Sequence, residues 1–249
     1  MADERAVLEA SVARLRDLVH GLGPDELRAQ AYPSEWTVAD VLGHIGSGAV
    51  ISVLRIDEAL GGPEAASQPI WDEWNAKDPD TKAADALDAD QALIERLGAL
   101  SDDERDRFTL ALGPMTIDHA GFLRLRISEH VLHSWDIAVA FEPAAGLPID
   151  GVEVVLEVVP MIAMYAGKPT GSTRQLRVRT TAPDRALVVG LSGDGVSLVP
   201  DDQPGTPDLE LPAEAMVRLI YGRLDPEHTP AFRGAAADLD ELRRAFPGV

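Results

Sequence analysis

Residues 126–141 read RISEHVLHSWDIAVAF, and within eight positions they carry Glu129, His130, His133 and Asp136. A helix turning about 100° per residue sets His133 about 40° from Glu129, Asp136 about −20°, Arg126 about 60° and His130 about 100°. Glu129, His133 and Asp136 then share a face, and His130 lies to one side. Side chains four apart on a helix have Cβ atoms about 5–6 Å apart, which suits two ligands of one metal ion. Two are too few, so a further ligand has to come from another helix. In SEWTVADVLGHI, residues 34–45, His44 sits about 60° from Val41, the centre of the apolar face, on its shoulder. Spacing alone leaves two readings open. Either these side chains converge on a metal, or His44 is a satisfied structural residue and Arg126, Glu129 and Asp136 form a solvated stripe.

The helical period around this stretch predicts one helix over about 116–141. Three more are expected before it. Residues 4–22 keep Val7, Leu8, Val12, Leu15, Leu18 and Val19 in phase until Gly21, Gly23 and Pro24 stop the run. A second helix begins at a Ser34 cap or a Thr37/Asp40 capping box and runs to about Leu60. A third covers about 83–100 through Leu87, Leu93, Ile94 and Leu97. Residues 61–80 hold Gly, Pro, Ser and two tryptophans, and read as a long loop or short helical pieces. With no strand signal among them, the four helices predict an up-and-down four-helix bundle over residues 1–147.

The pattern changes beyond residue 147. After a helix expected over 152–166, the runs RQLRVRTT, RALVVGLS, GVSLVP and PDLEL alternate or are β-branched, and APD, SGDG and DDQPGTP separate them. They predict an antiparallel sheet, followed by helices over 212–221 and about 235–246. Fold class is therefore α+β in two domains, residues 1–147 and 148–249.

Composition narrows the partners. The formal charge is −20, from 42 acidic against 22 basic side chains, and such a surface repels phosphate backbones and anionic membranes. Neither nucleic acid nor membrane is expected as a partner. No run approaches the roughly 18 apolar residues of a membrane span, and the opening MADERAVLEA lacks the basic-then-apolar order of a signal peptide, so the chain is expected in the cytoplasm. Arg far outnumbers Lys, and Ala, Asp and Val are abundant, as in GC-rich bacteria. There is no cysteine, which rules out disulfides, a cysteine nucleophile and a thiolate metal site together. Any zinc would be held by His and carboxylate, and any thiol chemistry needs a thiol from outside the chain.

SEWTVADVLGHI and RLRISEHVLHSWDIAVAF resemble, in order and separation, the two signature segments of mycothiol-dependent maleylpyruvate isomerase-like proteins, members of the DinB-like four-helix superfamily. The resemblance extends to LEVVPMIAMYAG, SGDGVSLV and PDLELPAEAMVRLIYGRL, which are similar to that family's sterol-carrier-like second domain. It implies a divalent metal, zinc foremost, on His44, Glu129 and His133, while His130 matches no ligand. It also implies mycothiol as co-substrate and a small-molecule electrophile, with isomerisation of the maleylpyruvate type or thiol transfer as the reaction. Asp136 is expected to orient a ligand or handle a proton. Arg223, of the Gly222-Arg223 pair, is expected to hold a substrate carboxylate. Substrate choice is expected to vary with residues 61–80. Metal-assisted hydrolysis and a non-catalytic binding module stand as alternatives, and the chain is expected as a monomer or homodimer.

Overall fold

The computed structural model describes residues 3–64, 66–113, 115–203 and 205–248. The chain divides into two compact units, Met1–Ala145 and Gly146–Val249.

The first unit is built on α1 (Glu4–His20), the short α2 (Pro24–Leu27), α3 (Val38–Ala59), α4 (Gln68–Asn75), α5 (Pro79–Gly98), the short α6 (Asp102–Asp106), strands β1 (Leu110–Leu112) and β2 (Met115–Ile117), and α7 (His119–Ala138). Helix α3 packs on α5 and α7, and α1 packs on α7 and α5, so each of the four long helices buries an apolar stripe against two others. Leu8, Leu15, Leu42, Ile45, Ile56, Leu93, Leu97, Ile127, Leu132 and Ile137 are fully buried between them. Each such side chain contributes about 1.5–3 kcal/mol relative to exposure.

Helix α3 starts where its sequence closes a capping box. Thr37 Oγ1 accepts from Asp40 N at 3.2 Å, and an Asp40 carboxylate oxygen accepts from Thr37 N at 3.0 Å. At 22 residues it is long and apolar enough to cross a membrane by length and composition, but ten of its residues are buried against its neighbours. Gly46 lets it approach α5 closely. A Cβ there would lie 2.3 Å from the Trp74 ring and 2.8 Å from Ala86 Cα. Trp74 thereby anchors α4, and residues 61–80 contain this helix and the first turn of α5.

Two expectations for this unit are corrected. Strands do intervene among the helices: β1 and β2 pair antiparallel, with Leu110 opposite Ile117. Gly113 makes the turn at φ +57°, and Thr116 and Ile117 are β-branched. The last long helix consequently begins at His119, capped by Asp118, whose carboxylate accepts from Gly121 N at 2.8 Å.

The second unit comprises α8 (Ile149–Val155), α9 (Val159–Ala166), β3 (Arg174–Thr181), β4 (Arg185–Ser192), β5 (Gly195–Pro200), β6 (Leu209–Pro212), α10 (Ala213–Ile220), the two-residue β7 (Arg233–Gly234) and α11 (Ala236–Ala245). One helix was expected over 152–166, and there are two. Pro160 lacks an N–H, and its ring would clash with the Leu156 carbonyl, so the chain breaks at 156–158 and restarts with proline in the first turn. The sheet order is β5-β4-β3-β6-β7. Most pairs are antiparallel as expected, but β3 and β6 run parallel, Val178 opposite Leu209, so the sheet is mixed. Alternation places Leu176, Val178, Leu187, Val189, Leu191, Val196, Leu198, Leu209 and Leu211 on one buried face, against which α9 and α10 pack.

Gly46→Ala tests the α3–α5 approach. Helix propensity alone favours alanine by about 1 kcal/mol. The backbone and ring within 3 Å of the added methyl reverse that sign, and urea unfolding should show a loss of roughly 1–3 kcal/mol. A more stable variant would contradict the packing.

Candidate metal centre

Two helices bring three of the expected residues together. His44 lies two turns into α3, and Glu129 and His133 lie one turn apart on α7. One ligand atom from each lies within 4.8 Å of the others. His44 Nε2 is 3.1 Å and His133 Nε2 3.5 Å from the same Glu129 oxygen, Oε2. With metal–nitrogen and metal–oxygen bonds of about 2.0–2.1 Å, two ligands on a tetrahedral ion stand about 3.3 Å apart, so these spacings suit a divalent cation.

Asp136 stands behind this group. Its Oδ2 is 2.8 Å from His133 Nδ1, and the residue has no exposed surface. A carboxylate only accepts, so Nδ1 donates, and Nε2 is the nitrogen that faces Glu129 and His44; protonated, it donates to the Glu129 carboxylate, and unprotonated, it offers a lone pair to a metal. The end of α7 is itself fastened to the segment before α3, where Tyr32 N donates to the Asp136 carbonyl at 3.0 Å. The alternative of a solvated stripe is corrected here: Arg126 and Asp136 are buried, at 6% and 0% exposure. The sequence cannot tell which side of a helix faces solvent when both sides carry charge.

An aromatic wall borders the histidines. The Trp36 ring centroid lies 5.1 Å from that of His44 and 5.9 Å from that of His133, nearly parallel to the latter at 25°. The two imidazoles meet edge-on at 4.5 Å. Trp36 belongs to the first motif, but its contact with both histidines follows from the turn that precedes the capping box, which spacing does not reveal.

The electrostatics keep Glu129 ionised. Burial by itself raises the Glu129 carboxyl, but the hydrogen bonds and charges of His133 and His44 outweigh it and hold the group well below the usual carboxylate range. Burial likewise lowers His133, and Asp136 and Glu129 overcome that and raise it. Glu129 is closely surrounded by protein, yet its side chain keeps 47% of its surface exposed. The group is therefore a recess that holds an ionised carboxylate between two histidines and remains open to solvent.

His130 turns away from this recess, into the helical core. Its Nε2 is 2.9 Å from Asp90 Oδ2, and Arg126 Nη2 donates to Asp90 Oδ1 at 2.9 Å and to the Ile45 carbonyl at 2.9 Å. Asp90 and His130 have no exposed surface. Sequence reasoning missed Asp90, although a signal existed. It falls among Ala83, Ala86, Leu93 and Leu97 on the buried seam of α5, an acid at an apolar position. Burial raises its carboxyl, and the charges and hydrogen bonds of His130 and Arg126 more than reverse this and lower it.

Arg223 belongs to the second unit. Gly222 before it adopts φ +71°, with Gly248 Cα 2.2 Å from where a Cβ would stand, so only glycine fits. The Arg223 guanidinium donates to the Tyr221 carbonyl at 2.9 Å.

Comparison with known proteins bears on this geometry. The family described as the mycothiol maleylpyruvate isomerase N-terminal domain matches residues 8–138. A crystal structure of the mycothiol-dependent maleylpyruvate isomerase is similar with a TM-score of 0.65 at 14% identity, covering 89% of this chain and 88% of that one. A structure of a histidine-to-alanine mutant of that enzyme is similar with a TM-score of 0.63 at 15% identity and the same coverage. At these identities the likeness is one of fold. Among curated proteins none matches.

The buried Asp90 cluster predicts a pH dependence. Because its folded pKa is lowered, its stabilisation is present above the unfolded value of about 3.9 and is lost as pH falls through the folded one. The stability gap between wild type and Asp90→Asn, from urea unfolding, should therefore narrow as the pH is lowered from about 5 to about 3. A gap that stays constant over that range would contradict the ionised cluster.

Proposed function

The chain belongs to the mycothiol maleylpyruvate isomerase N-terminal domain family, and on that premise we propose that it is a metal-dependent enzyme that adds a low-molecular-weight thiol, mycothiol, to a small electrophile. The reaction is isomerisation of the maleylpyruvate type or S-transfer. The observation that carries this reading is the recess of His44, Glu129 and His133, whose donor atoms suit a divalent ion such as zinc and leave room for a further ligand. The first unit is read as a DinB-like four-helix bundle and the second as a sterol-carrier-like domain.

In this reading His44, Glu129 and His133 hold the metal. When bound there, a divalent ion would supply Lewis acidity that lowers a thiol's pKa below its free value of about 8.5 and so favours the nucleophilic thiolate at neutral pH. The chain's own groups do the rest. Asp136 keeps His133 in the tautomer whose Nε2 is a ligand, and its complete burial supports orientation over proton exchange with a substrate. Trp36 covers the histidines on one side and restricts approach to the other. With no cysteine in the chain, no internal thiolate competes for the open position. The cytoplasm, where small thiols stay reduced, is the matching compartment.

The isomerisation balances without further reagents. The sulfur adds to one carbon of the substrate's double bond, the resulting single bond rotates, and loss of the same thiolate restores the double bond in trans. In the transferase version the carbon–sulfur bond is kept and the adduct takes up a proton. We assign Arg223 to a substrate carboxylate, which its planar fork suits.

Cobalt-substituted protein tests the thiol claim. Mycothiol should produce an intense near-ultraviolet sulfur-to-cobalt band that follows thiol concentration and is lost in His44→Ala, and maleylpyruvate turnover should require the thiol. A cobalt spectrum indifferent to mycothiol and related thiols, with turnover independent of them, would contradict it and favour hydrolysis.

A further inference from the structure

The ligand recess and the Asp90 cluster join the same helices at the same level. His44 and Ile45 are neighbours on α3, and Glu129 and His130 are neighbours on α7. One residue of each pair faces the recess and the other takes part in the buried cluster. Arg126 Nη2 ties α3 through the Ile45 carbonyl at 2.9 Å and α5 through Asp90 Oδ1 at 2.9 Å, while the other Asp90 oxygen meets His130 Nε2 at 2.9 Å. Room for the guanidinium comes from α3 itself, where a Cβ on Gly48 would lie 2.8 Å from Arg126 Nη1. We propose that Asp90 is a positioning residue of the metal centre: through Arg126 and His130 it fixes the slide and rotation of α3 against α7, and so the spacing of His44 from Glu129 and His133.

The chemistry supports positioning over mere cohesion. Apolar contacts between helices tolerate small sliding, because one methyl group replaces another at little cost. Charge-assisted hydrogen bonds lose strength steeply with distance and angle, and these are buried away from bulk solvent. The Ile45 carbonyl offers one direction for a bond from outside its own helix, so the guanidinium reports the place of α3 directly. A shift of about 1 Å in that contact would carry His44 with it, and a metal site responds to displacements of that size.

The inference rests on the metal reading, and its test separates the two. Cobalt affinity and the visible cobalt spectrum are measured by titration, well below the melting temperature, for wild type, Asp90→Asn and the double variant Asp90→Leu/Arg126→Met. The double variant removes the Asp90 and Arg126 charges together; it leaves His130 without its Asp90 partner, a smaller cost than a stranded charge, so its fold is expected to survive. Both variants should bind cobalt roughly tenfold or more weakly and show an altered visible band, even where the double variant melts no lower than wild type. Folded variants with wild-type affinity and spectrum would overturn the proposal. Failure of both variants to fold would overturn it too, by making the cluster a condition of folding. If wild type itself bound no cobalt, the metal reading would fall first.

Discussion

An α-helix turns about 100° per residue, and α7 uses that angle to send two i, i+4 pairs in different directions. Arg126 and His130 enter the buried core, where Asp90 and a backbone carbonyl receive them. Glu129 and His133, one step round the helix, face the open recess with His44. Neither pair can be moved without the other. A buried carboxylate stripped of its partners is costly, about 3–5 kcal/mol when one member of such a pair is removed. The placement of α3, α5 and α7 is therefore constrained at the level where the recess forms.

The recess itself follows from simple polar requirements. His133 has two ring nitrogens, and the buried Asp136 engages one of them, so the other has to face Glu129 and His44. Glu129 is drawn toward both histidines by hydrogen bonds strong enough to overcome its own desolvation. A group so arranged, open on one side and bordered by Trp36, presents donor atoms at spacings that suit a divalent cation. Net charge and composition complete the picture: an acidic chain without cysteine supplies oxygen and nitrogen donors but no thiolate of its own.

Much of this was legible before any coordinates. The capping box at Thr37 and Asp40, the stop at Gly21 and the alternating strands of the second unit are local signals, and local physics decides them. The shared face of Glu129, His133 and Asp136 followed from helical periodicity, and the link to His44 needed the family resemblance. What escaped was tertiary. The β1–β2 hairpin is three residues on each side, too short for a period to emerge. The parallel pairing of β3 with β6 depends on the path of the chain between them, which no local pattern encodes. Asp90 was hidden because a single acid in an apolar seam looks like an interruption until its two partners on α7 are seen.

The central claim, that His44, Glu129 and His133 hold one divalent ion, is tested most directly by anomalous diffraction at the metal's absorption edge from crystals of the zinc- or cobalt-loaded protein. The account predicts one strong peak within about 2.0–2.3 Å of a nitrogen of each histidine and an oxygen of Glu129, at an occupancy matching the metal in solution. A recess without a peak in loaded crystals, or metal confined to acidic side chains elsewhere on the surface, would contradict it.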